Sequence, residues 1–199
     1  MAARILTGLG MNTPAHLLIG LAVCARRDAH HSGRAAAAGS LLPDLSLYAL
    51  AGFSLFVLQI PADRVFGELY FSGTWQTVFA IDNSFVLWGA GLCLGLWRRS
   101  VPVISFATAG LLHLLTDFAL HHDDARRHFW PASDWVFESP LSYWDSGHHA
   151  AAVAPVTLIA VLIASAVLWR RWPDWRMRLG VTLALTAEIW VVRQWLLFF

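Results

Sequence analysis

The chain has 199 residues, of which 57% are hydrophobic and 14% are charged, and its mean hydropathy is +0.55. This composition excludes an ordinary soluble protein and indicates a polytopic membrane protein. All 14 basic residues are arginine, so P-loop nucleotide binding and Schiff-base catalysis, which need a lysine, are excluded. The net charge of +1 predicts no nucleic-acid partner.

Six apolar segments follow one another along the chain and predict an all-α, polytopic transmembrane helix bundle. We expect helices at 14–25, 36–60, 84–97, 101–120, 150–169 and 177–198. The second is expected to break at Pro43-Asp44. Because the first and third are shorter than the roughly 20 residues that a span requires, we predict four to six membrane crossings. Residues 1–199 are expected to form one integral-membrane domain, in which 1–10 is an N-terminal extension.

The placement of arginine predicts the orientation of this bundle. Nine arginines follow the first, third and fifth helices: Arg26, Arg27, Arg34, Arg98, Arg99, Arg170, Arg171, Arg176 and Arg178. The opposite side has Arg4, Arg64, Arg126 and Arg127. The positive-inside rule makes the nine-arginine side cytoplasmic. The two long connections, 61–83 and 121–149, then face outward.

The strongest functional pattern closes the fourth predicted helix. His113, Asp117 and His121 recur every four residues, so they share one face of a helix. Ionisable groups at membrane depth are costly and by default mark functional sites. Imidazole and carboxylate groups are the ligands of Zn²⁺-like ions and also the carriers of proton relays.

Polar residues of other helices are expected at a similar depth. His16 opens the first helix, Asp82 opens the third, and Asp44 lies in the second. His16 is either a ligand or an interfacial residue, and Asp44 either lines a polar cavity or caps a helix. Glu188 in the last helix either pairs structurally or joins the cavity. A divalent ion such as Zn²⁺ or Mn²⁺ would account for the cluster, offset the burial of the acids and activate water for hydrolysis.

Short motifs between residues 11 and 131 resemble a known family. They are Thr13–Gly20, Gly39–Leu45, His113-x-x-x-Asp117 and Phe129-Trp130-Pro131. In this order they resemble the YdjM-like membrane-bound metal-dependent hydrolases. The resemblance implies a multi-pass protein of the bacterial inner membrane with a metal-dependent hydrolase site. The ligands that it implies are His16, Asp44, His113 and Asp117.

The chain departs from this family before the third predicted helix. Ile81-Asp82-Asn83-Ser84 stands where the family has a His-Arg…Thr-His-Ser element. We therefore expect Asp82 or His121 to complete the ligand shell or to act as the catalytic base. Residues 121–145 resemble a narrower group often labelled as the cobalamin-biosynthesis protein CobQ, but that label implies an ATP-using enzyme and the chain has no P-loop.

The sequence therefore predicts a metal-dependent hydrolase that acts on a lipid-linked or phosphate-ester substrate, with membrane lipid as its immediate partner. Two alternatives stay open. In the first, the chain is a non-enzymatic membrane protein, a scaffold or a cobalamin-pathway component, and the polar cluster is a hydrogen-bonded network. In the second, it is a small transporter or proton relay that uses Asp44, His113, Asp117 and Glu188. The lack of an internal repeat counts against transport.

Overall fold

The computed structural model describes residues 13–198, with side chains as far as residue 194, and within that range it contains helices and no strands. The main helices are α1 Thr13–Cys24, α2 Ser32–Gly52, α3 Gly73–Asp82, α4 Phe85–Trp97, α5 Val101–Leu120, α6 Ala150–Arg171 and α7 Trp175–Phe198. The predicted all-α bundle is confirmed. The expected extension at 1–10 lies outside the described residues.

Among residues 13–198, four helical segments are long and apolar enough to cross a membrane. They are Ser32–Val57, Gly73–Trp97, Val101–Leu120 and Ala150–Arg171. The count agrees with the lower end of the predicted range of crossings. The outward face of α6 is apolar, since Val156, Ile159 and Ile163 are 67%, 57% and 60% exposed. Such a surface is suited to contact with lipid.

The described part of α1 has 12 residues, which at 1.5 Å per residue reach about 18 Å, little more than half of the hydrocarbon thickness. His16 is the fourth of these residues and lies 3.1 Å from Asp117 of α5, which places it inside the bundle.

Two predicted boundaries are wrong. Helix α2 continues through Pro43 without a break, because a proline inside a helix removes one backbone hydrogen bond and the neighbouring turns keep theirs. The segment Gly73–Asp82, expected to be part of a connection, forms α3. Ser72 caps that helix by accepting a hydrogen bond from the backbone N–H of Trp75.

Helices α3 and α4 are two parts of one apolar segment that is interrupted at Asn83-Ser84. The loop after α5 packs into this interruption. The Phe85 N–H donates to the His128 carbonyl at 2.8 Å, and Nδ1–H of His128 donates to the Asn83 carbonyl at 2.9 Å. The Asn83 amide also donates to the Pro43 carbonyl of α2 at 3.1 Å. The backbone groups freed by the break are therefore satisfied within the protein, as membrane depth requires.

Helices α2 and α5 form the most extensive helix pair, and they run parallel. Near their starts, the hydroxyl groups of Ser32 and Ser105 lie 2.8 Å apart. Gly39 permits the close approach, because a Cβ at this position would lie 2.0 Å from the carbonyl oxygen of Phe106. Small residues commonly allow such backbone contact between membrane helices.

The three short connections, 25–31, 98–100 and 172–174, lie at one end of the bundle, which we call the arginine end. Because α2 and α5 run parallel, their N-terminal ends lie together at the arginine end. Nη1 of Arg171 donates to the Ala22 carbonyl at 2.8 Å, which brings the end of α6 to the end of α1. The nine arginines counted in the sequence therefore gather at this end, and the long connections lie at the other.

Candidate metal centre

Three buried or nearly buried side chains from two helices meet inside the bundle: His16 of α1 and His113 and Asp117 of α5. Their ligand atoms all lie within 4.8 Å of one another. Nε2 of His16 lies 3.1 Å from Oδ1 of Asp117, and Nε2 of His113 lies 3.1 Å from the other oxygen, Oδ2. The structure thus brings together three of the four predicted ligands. We call these three residues the candidate metal centre.

The fourth predicted ligand, Asp44, lies at the edge of the candidate metal centre. Its Oδ1 is 3.5 Å from Nε2 of His113, and its Oδ2 accepts a hydrogen bond from the hydroxyl of Thr13. The Thr13 hydroxyl also lies 2.7 Å from the hydroxyl of Tyr48. Because Asp44 sits in the middle of α2, the alternative that it caps a helix is wrong.

Both imidazole rings are oriented through Nδ1. Nδ1 of His113 lies 2.7 Å from the Ser40 carbonyl, which can only accept, so this nitrogen bears the hydrogen. Nδ1 of His16 lies 3.1 Å from the hydroxyl oxygen of Thr116, whose own hydrogen points to the His113 carbonyl at 2.7 Å. When neutral, each ring therefore presents the lone pair of Nε2 to Asp117. Contacts of this kind are typical of metal-bound histidines.

The polar atoms of the candidate metal centre face one another. Nε2 of His113 and both carboxylate oxygens of Asp117 are buried, and their polar neighbours at 3.1–3.5 Å are imidazole nitrogens and carboxylate oxygens of the same cluster. The rings of His16 and His113 stack with centroids 3.7 Å apart and planes 9° apart, an arrangement in which two protonated imidazoles would repel each other. Two imidazole nitrogens and a carboxylate around one point fit a divalent ion such as Zn²⁺ or Mn²⁺.

His121, at the C-terminal end of α5, contacts the candidate metal centre from the side of the loop. Its Nε2 lies 3.3 Å from Oδ1 of Asp117 and 3.3 Å from the hydroxyl of Tyr143. Its Nδ1 lies 2.8 Å from Oδ2 of Asp124. Burial lowers the pKa of His121, but the carboxylates of Asp124 and Asp117 outweigh it and raise that pKa to about 10. His121 thus links two carboxylates through its two ring nitrogens.

Two other predicted acids lie elsewhere. The carboxylate of Asp82 lies 3.3 Å from the side-chain nitrogen of Asn83 and interacts with the Ser46 hydroxyl, so the structure does not bring Asp82 into the candidate metal centre. Glu188 is fully buried beside the backbone N–H of Ala15 in the first turn of α1. Glu188 is not among the three residues of the candidate metal centre, and the choice between structural pairing and a role in the cavity stays a prediction.

Sequence reasoning missed two side chains near the candidate metal centre. Thr116 orients His16, and Arg126 is buried at 4% exposure in the loop after α5. Spacing could have found Thr116, because a residue three positions after His113 lies on the same helix face. No spacing rule indicates Arg126, whose burial depends on how an irregular loop folds.

A cavity of about 160 Å³ reaches the candidate metal centre from α6. His16 and Asp117 form part of one wall, and Val156, Thr157 and Ala160 form part of another. The lining is predominantly apolar, so the cavity is suited to an apolar group. A larger cavity of about 490 Å³ lies at the arginine end and contains none of the predicted ligands.

In comparisons with protein-family models, with curated proteins and with solved structures, no match to this chain was found.

Burial of His128 predicts a dependence of stability on pH. Burial lowers the pKa of His128 to about 4, from an ordinary value of 6.5. Between these values the unfolded chain binds the proton and the folded chain does not, so the contribution to stability is lost as the pH falls from 6.5 toward 4. From pH 7 to pH 5, the free energy of unfolding of the wild type should fall by about 2 kcal/mol more than that of His128→Gln. Thermal unfolding in detergent at both pH values measures this difference, and an equal fall in the two proteins would contradict it.

Proposed function

We propose that the chain is a membrane-embedded, metal-dependent hydrolase whose divalent ion is held by His16, His113 and Asp117. The observation that supports this proposal is the convergence of two imidazoles and a carboxylate within 4.8 Å, with both Nδ1 atoms engaged elsewhere. Catalytic zinc sites typically have three protein ligands and keep one position open. Asp44, with an oxygen 3.5 Å from Nε2 of His113, is the proposed fourth ligand; with Asp44 bound, the water would need a further position, which Mn²⁺ offers more readily than tetrahedral Zn²⁺.

A divalent ion at such a site acidifies a water molecule and so supplies a nucleophile for hydrolysis at neutral pH. The chain supplies the remaining requirements. Ser40 and Thr116 hold the two imidazole rings in place. His121, in contact with Asp117 and Asp124, is placed to transfer a proton beside the ligands. We therefore assign proton transfer to His121 rather than to Asp82.

We also propose that the protein is a multi-pass protein of the bacterial inner membrane. The four apolar spans support membrane insertion, and the positive-inside rule makes the arginine end cytoplasmic. The resemblance to the YdjM-like hydrolases supports both the location and the chemistry. Asp44 lies about 18 Å along α2 from Ser32, at a rise of 1.5 Å per residue. The proposed site is then reached from the outer half of the membrane.

Metal binding tests this proposal directly. Wild-type protein purified in mild detergent without chelators should contain about one divalent ion per chain. Thr116→Val keeps the side-chain shape but removes the hydroxyl that orients His16, so we expect its metal affinity to be about 10- to 100-fold lower. Elemental analysis gives the stoichiometry, and titration against a competing chelator gives the affinity.

Thr182→Val is the matched control. Thr182 donates a hydrogen bond to the Arg178 carbonyl at 2.9 Å within α7, which is the same kind of helix contact without a histidine. This control should keep the wild-type metal affinity. Absence of metal from the wild type, or equal weakening in the two threonine variants, would contradict the proposal. Absence of metal from the wild type would favour the alternative in which the polar cluster is a hydrogen-bonded network in a non-enzymatic protein.

A further inference from the structure

Arg126, in the loop after α5, is buried without a counter-charge. The residue is 4% exposed, and its guanidinium carbon lies 4.2 Å from the ring centre of Phe79 and 5.1 Å from that of Tyr70. Its Nη1 is buried and has no hydrogen-bond partner in the part of the chain that the structure describes. Among residues 13–194, no carboxylate forms an ion pair with Arg126.

The unpaired charge of Arg126 differs from the paired charges of two other arginines on the same side of the bundle. Arg127 pairs with Asp134 at 3.1 Å, and Arg64 pairs with Glu68 at 3.2 Å, in each case with solvent access. A charge removed from water is costly unless it is paired and hydrogen-bonded, and aromatic faces recover only part of that cost. Arg126 therefore presents N–H donors at Nη1 that no described residue uses.

The same loop connects Arg126 to the candidate metal centre. Asp124, two residues earlier, lies 2.8 Å from His121, and His121 contacts Asp117. The charges of Asp124, Asp117 and Asp44 all act on the guanidinium of Arg126, although it pairs with none of them. The guanidinium of Arg126 is thus within electrostatic range of Asp117 in the candidate metal centre. Arginine and a divalent ion together are a recurrent means of binding phosphate oxygens.

We propose that Arg126 binds the phosphate group of the substrate, and that the substrate is a phosphate monoester. This inference rests on the proposed hydrolase function. In the reaction, the oxygen of water forms a bond to phosphorus while the bond from phosphorus to the ester oxygen breaks. A proton from the water passes to the departing oxygen, so the products are an alcohol and inorganic phosphate. Arg126 stabilises the negative charge on the phosphate oxygens during this transfer.

The alcohol part of the ester is either a lipid or a soluble compound. The apolar cavity beside His16 and Asp117 favours a lipid, because an acyl chain could lie between α1 and α6. Phosphatidic acid and glycerol phosphate carry the same phosphate monoester, so a comparison of the two distinguishes the sources.

The first experiment measures phosphate binding to the full chain in detergent, with metal and after EDTA treatment. Arg126→Met should bind inorganic phosphate at least about 10-fold more weakly than the wild type, with the same metal content. Methionine fills the space of the arginine stem and removes an unpaired charge, so the melting temperature without phosphate should not fall. If Arg126 only packs on the two rings, the melting temperature falls and the phosphate affinity stays unchanged, which would overturn the inference.

Two further variants make the test decisive. Arg126→Lys keeps the charge but loses the planar fork, so it should bind phosphate more weakly than the wild type even if Arg126→Met does not fold. Arg127→Met removes a surface pair one residue away and should bind phosphate as the wild type does. Equal phosphate affinity in the wild type and Arg126→Lys would overturn the inference and leave metal binding intact. Failure of the proposed hydrolase function would give a different result from failure of this inference, because the wild type itself would then hold no metal.

The second experiment measures release of inorganic phosphate by the metal-loaded protein. We expect release from phosphatidic acid in vesicles, and a rate at least about 10-fold lower for Arg126→Met. Release from glycerol phosphate alone would support the phosphate monoester and assign it to a soluble source. Release from neither substrate, by a protein that holds its metal, would overturn the inference.

Discussion

Asp117→Asn is expected to abolish stoichiometric metal binding. The Asp117 carboxylate contacts all three nearby histidines, at 3.1 Å from His16, 3.1 Å from His113 and 3.3 Å from His121. Asparagine has nearly the same shape but no charge, so an ion would meet two imidazoles with the carboxylate of Asp44, at the edge of the site, as its counter-charge. Since loss of an outer contact already weakens metal binding by about 10- to 100-fold, loss of the carboxylate should weaken it by more than about 100-fold. Chelator competition and elemental analysis measure the effect.

The same substitution keeps the shape of the side chain but removes a carboxylate that contacts three histidines. Breaking a buried ion pair is destabilising, so we expect metal-free Asp117→Asn to unfold at a lower temperature than the metal-free wild type. Metal binding is compared at a temperature at which both are folded. Asp134→Asn is the matched control, since it is the same substitution at an acid of the loop after α5. Asp134 pairs with Arg127 at the surface. This control should keep its metal. An Asp117→Asn protein that still holds one ion per chain would show that Asp117 is not a ligand.

Gly39→Ala is expected to destabilise the protein by about 1–3 kcal/mol or more and to weaken metal binding. The new Cβ would lie 2.0 Å from the carbonyl oxygen and 2.9 Å from the carbonyl carbon of Phe106. These are backbone atoms that cannot rotate away, so α2 and α5 would have to separate. The separation would draw Asp44 and the Ser40 carbonyl away from His113. Thermal unfolding and metal titration, both in detergent, measure the two consequences.

Gly89→Ala provides the control for this prediction. Gly89 lies inside α4, and a Cβ at that position would meet nothing within 4 Å. Because alanine favours a helix more than glycine does, this variant should be as stable as the wild type or up to about 1 kcal/mol more stable. Equal unfolding temperatures for the two alanine variants would contradict the close packing of α2 on α5.

Apolar length made most of the fold predictable. Helix α5 was expected at 101–120 and is found at Val101–Leu120, because arginines and a proline mark its start and a polar cluster marks its end. Helix α3 was not predicted, since its ten residues mix aromatic and polar side chains and are too few for a span. Pro43 misled the prediction because one lost hydrogen bond is tolerated where packing on α5 supports the rest of α2.

The candidate site was predictable only in part. The spacing of His113 and Asp117 follows from helix geometry, so their shared face could be predicted from the sequence. The positions of His16 and Asp44 beside His113 and Asp117 depend on how far α1 and α2 are shifted along the axis of α5. No local sequence pattern encodes that shift. Asp82 has the same chemistry as Asp44, but the break at Asn83 leaves its carboxylate beside Ser46.

The contacts that orient the two imidazoles join distant parts of the chain. Ser40 and His113 are 73 positions apart, and His16 and Thr116 are 100 positions apart. Proteins are synthesised from the N-terminus, so α1 and α2 leave the ribosome well before α5. Until α5 arrives, His16 has neither its carboxylate nor its orienting hydroxyl. Capture of the proposed ion would then be a late event in biogenesis, and nascent chains that end before α5 should acquire none.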